Sequence, residues 1–189
     1  MFKVGIITVP EREESINEIK KELDGFDINI FTDIEHKGQP FNFTRMLEYF
    51  CNSEKTTDYI MLCTDDVGFK SGWFEKTKEV LEKTNYDVVS LFTNRNLTNL
   101  DEYGYDGTGK HCLYDQCVIY KSSMLTPEYF KEFMEYANSS ERTTKEKNHY
   151  DVMHSHFIRD KKYSVLVIQP NLVKHKNIKS TLGHKIKCE

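Results

Sequence analysis

No window of the 189 residues approaches a membrane span, which takes about 20 consecutive apolar residues. The opening stretch from Met1 to Pro10 has too short an apolar run for a secretory signal and reads directly as a strand. The five cysteines include no C-x-x-C pair, and their spacing fits neither a zinc module nor a disulfide framework. Cys51, Cys63 and Cys117 sit in apolar surroundings and read as buried free thiols, so a reducing compartment, the cytoplasm, is expected. There is no basic excess either. Lys and Arg number 26 against 30 Asp and Glu, a net charge of −4, which speaks against a dedicated nucleic-acid binder. A local basic stripe does exist between Lys174 and Lys187. Internal repeats and low-complexity tracts are absent from the sequence.

What remains is a folded α/β chain. Apolar residues make up 38% and charged residues 30%, the balance of a globular domain rather than a disordered one. The length suits one domain with a real core and is too short for two. Phe2 to Val9, Ile28 to Phe31, Tyr59 to Cys63 and Val88 to Phe92 read as buried strands. Glu11 to Leu23, Phe43 to Cys51 and Gly72 to Lys83 read as the helices between them, with Glu35 to Asn42 as a polar loop. That alternation predicts a mostly parallel, Rossmann-like sheet flanked by helices. The pattern loosens from Thr93 to His111, where Gly104, Gly107 and Gly109 cluster in a long loop of the kind that is usually functional or mobile. Cys117 to Tyr120 and Ser164 to Ile168 are further strands, and Pro127 to Ala137 and Tyr150 to Arg159 further helices. The expected domain is 1–173, with 174–189 a basic tail placed to close over a ligand.

The third strand ends in Thr64-Asp65-Asp66-Val67. In an open α/β sheet ligands collect at the carboxyl edge of the strands. Adjacent carboxylates there repel unless a cation lies between them. A hard divalent cation with phosphate as co-ligand answers that need. The same acids also serve as caps and turn residues, so the pair alone reads either way. His149, His154 and His156 form no metal set, because positions two apart on a helix do not share a face.

Four segments, in order, resemble GT-A-type nucleotide-sugar-dependent glycosyltransferases, in their compact bacterial or viral form. Thr8-Val9-Pro10-Glu11-Arg12 resembles the opening T-x-P-x-R turn of such enzymes. Ile60 to Val67 resembles their E-D-D-V or D-x-D metal motif, with Thr64 in place of the first acid. Tyr150-Asp151 resembles the acidic position of the catalytic base in inverting members. Pro170 to Ser180 resembles the P-x-L-x-x-H-x-G-x-x-S segment, with Asn177 in place of Gly.

The resemblance implies a hexosyltransferase acting on a UDP-hexose or UDP-N-acetylhexosamine, with Mn²⁺ or Mg²⁺ as cofactor. Its acceptor would be a glycan, or hydroxymethylated pyrimidines in phage DNA, in the host cytoplasm for a viral enzyme. Asp66 and His175 are the implied metal ligands and Asp151 the implied base. Thr8, Pro10, Arg12, Asp33, Asp65, Trp73, Lys176 and Ser180 are the implied donor contacts. The competing readings are an inactive nucleotide-sugar-binding module of the same fold and a nucleotidyltransferase. The latter would call for a Gly-rich phosphate loop after the first strand, where Thr8-Val9-Pro10-Glu11 stands instead.

Overall fold

The computed structural model of the chain describes residues 2–94, 105–106, 116–139 and 150–176. Its central sheet contains seven strands among the described residues. In chain order these are β1 (Phe2–Thr8), β2 (Asp27–Thr32), β3 (Tyr59–Thr64), β5 (Val88–Ser90), β6 (Tyr105–Asp106), β7 (Cys117–Lys121) and β8 (Val165–Ile168). Two short strands, β4 (Val67–Phe69) and β9 (Val173–His175), pair with each other in a separate ribbon. The helices are α1 (Glu13–Glu22), α2 (Gln39–Asn52), α3 (Trp73–Lys83), α4 (Pro127–Asn138) and α5 (Tyr150–Asp160). A single 3-10 turn, Pro10–Arg12, leads into α1.

The strand order is β2-β1-β3-β7-β5-β8-β6. β1, β2, β3, β5 and β8 share one direction, and β7 and β6 run against them. The α/β single-domain reading holds, in a mixed sheet whose common direction sends β1, β2 and β3 to one carboxyl edge. β7 reaches its antiparallel place between β3 and β5 from the long segment after β5.

Strand periodicity sorts the core into two layers. Ile60 and Leu62 face one side, packed with Phe43, Met46, Leu47 and Phe50 of α2, Phe133 of α4 and Phe157 of α5. Met61 and Cys63 face the other, with Ile16 and Ile19 of α1 and Trp73 and Val80 of α3. α2 lies so close on β1 that a Cβ at Gly5 would sit 2.5 Å from the Phe50 ring and 2.8 Å from the Met46 sulfur. Only glycine allows that approach. Two expectations change at element ends. α2 begins at Gln39, not at Phe43, because Pro40 occupies its first turn, where the missing N–H costs nothing. The residues after Leu172 are not irregular throughout: β9 returns to pair Val173 with Phe69 and His175 with Val67.

Candidate active site

The carboxyl ends of β1, β2 and β3 border a cleft of about 200 Å³. Thr8, Val9 and Arg12 form one wall, Asp33, His36, Gly38, Gln39 and Asn42 another, and Thr64, Asp65 and Asp66 the floor. Of the implied contacts, Thr8, Arg12, Asp33, Asp65 and Asp66 therefore converge.

The acidic pair is divided in its partners. Asp65 is buried and turns toward β1: Thr8 Oγ1 donates to its Oδ2 at 2.6 Å and Arg12 Nη1 donates to its Oδ1. Ser15 Oγ of α1 donates to the Asp65 carbonyl. Burial pushes the Asp65 carboxyl above its ordinary value, against the pull of Thr8 and Arg12. The Arg12 guanidinium also lies 3.6 Å from Asp66 Oδ2. The neighbouring carboxylates are thus relieved from within the chain, by one arginine.

Asp66 turns the other way. Thr64 Oγ1 donates to its Oδ1 at 2.5 Å, and His175 Nε2 lies 3.1 Å from its Oδ2. The β4–β9 ribbon makes the second contact possible by carrying His175 back beside the acidic turn. The Lys176 N–H fixes the ribbon's end by donating to the Asp66 carbonyl at 2.5 Å. Burial works against the Asp66 charge, but hydrogen bonds from His175 and Thr64 outweigh it and hold the carboxyl below its ordinary value. The same contact raises the His175 imidazole, against the effect of its partial burial. The residue that stands where the motif has an acid therefore orients the acid that follows.

The wall opposite is built by hydrogen bonds that sequence reading did not find. The Asp33 oxygens accept from the N–H groups of Lys37 at 3.1 Å and Gly38 at 2.7 Å. Gly38, at φ 97°, holds the chain in the turn that starts α2. Asn42 Nδ2 donates to Phe31 O at 2.7 Å and Thr8 O at 3.1 Å, tying α2 to the ends of β2 and β1. A buried amide one turn into a helix is the trace this leaves in sequence, and it is a weak one.

Four implied contacts fall elsewhere. Trp73 is not in the cleft: it is 7% exposed and packs in an aromatic cluster with Phe26, Phe69 and Phe74. Pro10 opens the 3-10 turn beside the cleft without lining it. The Lys176 side chain pairs with Glu18 of α1 at 2.8 Å. Asp151 stands in the first turn of α5, outside the cleft lining. Its neighbour Tyr150 packs on Phe43, the residue after Asn42, with ring centroids 6.4 Å apart. Ser180, like the Gly-rich segment around Gly107, lies outside the described residues.

Among the described residues no three His, Cys, Asp or Glu side chains gather as a metal set. Asp66 Oδ2 and His175 Nε2, 3.1 Å apart, are close enough to face one ion together. That pair fits a divalent cation whose remaining ligands are phosphate oxygens and water, as catalytic Mg²⁺ and Mn²⁺ sites often are.

No protein-family model matches the chain, and no curated protein matches it in sequence. Solved structures do match it. A glycosyltransferase involved in the glycosylation of the major capsid of PBCV-1 overlays with a TM-score of 0.56 at 12% identity, over 89% of this chain and 83% of that one. The chain has a GT-A-like fold. Two further overlays are too loose to weigh. A Drosophila β1,4-galactosyltransferase 7 in complex with manganese, UDP-Gal and xylobiose gives a TM-score of 0.44 at 12% identity, covering 94% of this chain and 72% of that one. The 4-diphosphocytidyl-2C-methyl-D-erythritol synthase of Anaerococcus prevotii gives 0.45 at 12%, covering 96% and 92%. At such identity the likeness establishes the fold and leaves the reaction to the site. Among the described residues no helix is long and apolar enough to cross a membrane.

Proposed function

We propose that this chain is a metal-dependent glycosyltransferase that moves a hexose or N-acetylhexosamine from a UDP-sugar to an acceptor hydroxyl on a glycan, with inversion. One observation carries the reading: Asp66 and His175, far apart in sequence, meet at the carboxyl edge of a GT-A-like sheet beside a walled cleft.

The nucleoside lies between the Thr8–Arg12 turn and the Asp33–Asn42 wall. Asp65, held by Thr8 and Arg12, keeps the floor rigid. Asp66 and His175 hold Mn²⁺ or Mg²⁺, which when bound offsets the charge developing on the departing diphosphate. Lys176, on leaving its pairing with Glu18, and Ser180 would approach the phosphate oxygens as the basic residues that follow β9 close and exclude water. Asp151 accepts the proton of the acceptor hydroxyl as that oxygen bonds to the anomeric carbon and UDP leaves with the electron pair of the sugar–phosphate bond.

The test is turnover across a panel of nucleotide sugars, each with and without Mn²⁺, followed by acceptor screening with glycans and hydroxymethylated duplex DNA. Metal-dependent turnover of a UDP-sugar supports the reading. A strongly salt-sensitive reaction on the DNA would move the acceptor from glycan to nucleic acid. Pyrophosphate release from a nucleoside triphosphate would replace the reading with a nucleotidyltransferase. Nucleotide-sugar binding with neither turnover nor metal dependence would leave an inactive binding module.

A further inference from the structure

Cys63 and Cys117 oppose each other across the antiparallel β3–β7 pair. The ladder fixes the kind of pair they make. Thr64 N donates to Gln116 O at 3.2 Å and Ser122 N to Asp58 O at 2.8 Å. Hydrogen-bonded pairs therefore fall on the even positions of β3, and Cys63–Cys117 is a non-hydrogen-bonded pair. In such pairs the Cα atoms approach to about 4.5 Å and the side chains lie closest. That is inside the range of about 4.4–6.8 Å that a disulfide spans. Both side chains enter the same core layer, and both thiols are free. The Cys63 thiol donates to Gly5 O at 3.7 Å. Cys51, the third free thiol among the described residues, belongs to the opposite layer.

We propose that Cys63 and Cys117 are a two-electron redox pair that closes to a cross-strand disulfide at the root of the acidic turn. With a disulfide oxidant such as oxidised glutathione, one cysteine thiolate attacks a glutathione sulfur and releases one glutathione thiolate. The second cysteine, losing its proton, displaces the remaining glutathione. Two cysteine thiols and one glutathione disulfide become one protein disulfide and two glutathione thiols.

The two sulfurs are buried, with residue exposures of 1% and 0%, so exchange belongs to the opening or refolding chain and is slow in the native one. Once closed, the bond is shielded from reductants by the same burial. Its place matters to the site: Cys63 precedes Thr64, whose hydroxyl orients Asp66. A closed pair pins β3 to β7 at that point and ties residues 63 and 117 in the unfolded chain.

The test is to unfold the full chain, refold it in a glutathione redox buffer, and map disulfides by non-reducing peptide mass spectrometry. The expected result is one intramolecular Cys63–Cys117 link in wild type and in Cys51→Ser, with a melting temperature raised by about 10 °C. Dithiothreitol should open it quickly only after unfolding. Retention of all five thiols, or a dominant link to another cysteine such as Cys112, would overturn the proposal. Cys63→Ser and Cys117→Ser should each abolish the link and the thermal shift. If either fails to fold, the wild-type and Cys51→Ser maps decide alone.

Discussion

His175 Nε2 lies 3.1 Å from Asp66 Oδ2, held there by the β4–β9 ribbon. Two residues with no local relation in sequence thus form the pair of donors beside the cleft. Replacing either, as Asp66→Asn or His175→Ala, is expected to lower kcat/KM for the donor by about 100-fold or more, the scale of losing one electrostatic contact to a developing charge. Asp66 is mostly shielded and takes bonds from Thr64 and His175, so Asp66→Asn should also lower the melting temperature, whereas His175→Ala, at a half-exposed side chain, should stay closer to wild type. Donor kinetics beside thermal melts check the two halves of this expectation.

Arg12 and Asp65 make a different kind of pair, close and buried. Arg12→Ala leaves the Asp65 carboxylate without its cation, and breaking a buried pair from one side costs about 3–5 kcal/mol. Asp66 also loses a cation at 3.6 Å, so metal-free Arg12→Ala should be the least stable of the cleft variants. Arg12→Lys should recover only part of the loss, because a single ammonium does not reproduce the guanidinium fork. Chemical denaturation of the three proteins measures both steps.

Trp73 separates a core reading from a sugar-stacking one. Its ring packs on Phe69 with centroids 4.4 Å apart, on the core side of α3. Trp73→Ala should cost about 3–5 kcal/mol of stability, as large-to-small core changes do. Trp73→Phe, which keeps most of the volume, should bind UDP-sugar with an unchanged KM. A raised KM with unchanged stability would instead put the ring at the donor.

His154 makes the fold acid-sensitive. It is fully buried, with Tyr129 Oη 2.6 Å from Nε2 and Tyr120 Oη 3.3 Å from Nδ1, and burial pushes its pKa down to about 3. The unfolded chain protonates this histidine near its ordinary value, so below about pH 6.5 the unfolded state binds the extra proton. Its contribution is therefore intact above that pH and falls at up to ~1.4 kcal/mol per pH unit as pH drops toward the folded value. His154→Gln should start less stable at neutral pH and show a flatter loss between pH 6 and pH 4. Stability curves at several pH values give both.

Much of the scaffold was readable because it is local. Apolar runs such as Tyr59 to Cys63 and the helical spacing of Ile16, Ile19 and Leu23 each declare an element from a few residues. Asp65-Asp66 stood out because it closes such a run. The division of labour between them was not legible, since it depends on Arg12 and Thr8 from one direction and Thr64 and His175 from another. β4 and β9 were missed because three-residue strands carry almost no periodicity. The start of α2 was placed late because Gly38 and Pro40 look like loop residues until the turn they build is seen. Trp73 shows the opposite case: an aromatic a few residues past a motif suggests a ligand, whereas its ring packs among core aromatics.

The most direct measurement is calorimetric titration of UDP into wild type, Asp66→Asn and Asp151→Asn, each with and without Mn²⁺. A metal-dependent nucleotide-sugar site predicts UDP binding to wild type only with Mn²⁺, its loss in Asp66→Asn, and its retention in Asp151→Asn, which should then bind donor without turning it over. UDP binding that is equally tight without metal and in Asp66→Asn, or no UDP binding under any condition, would contradict it.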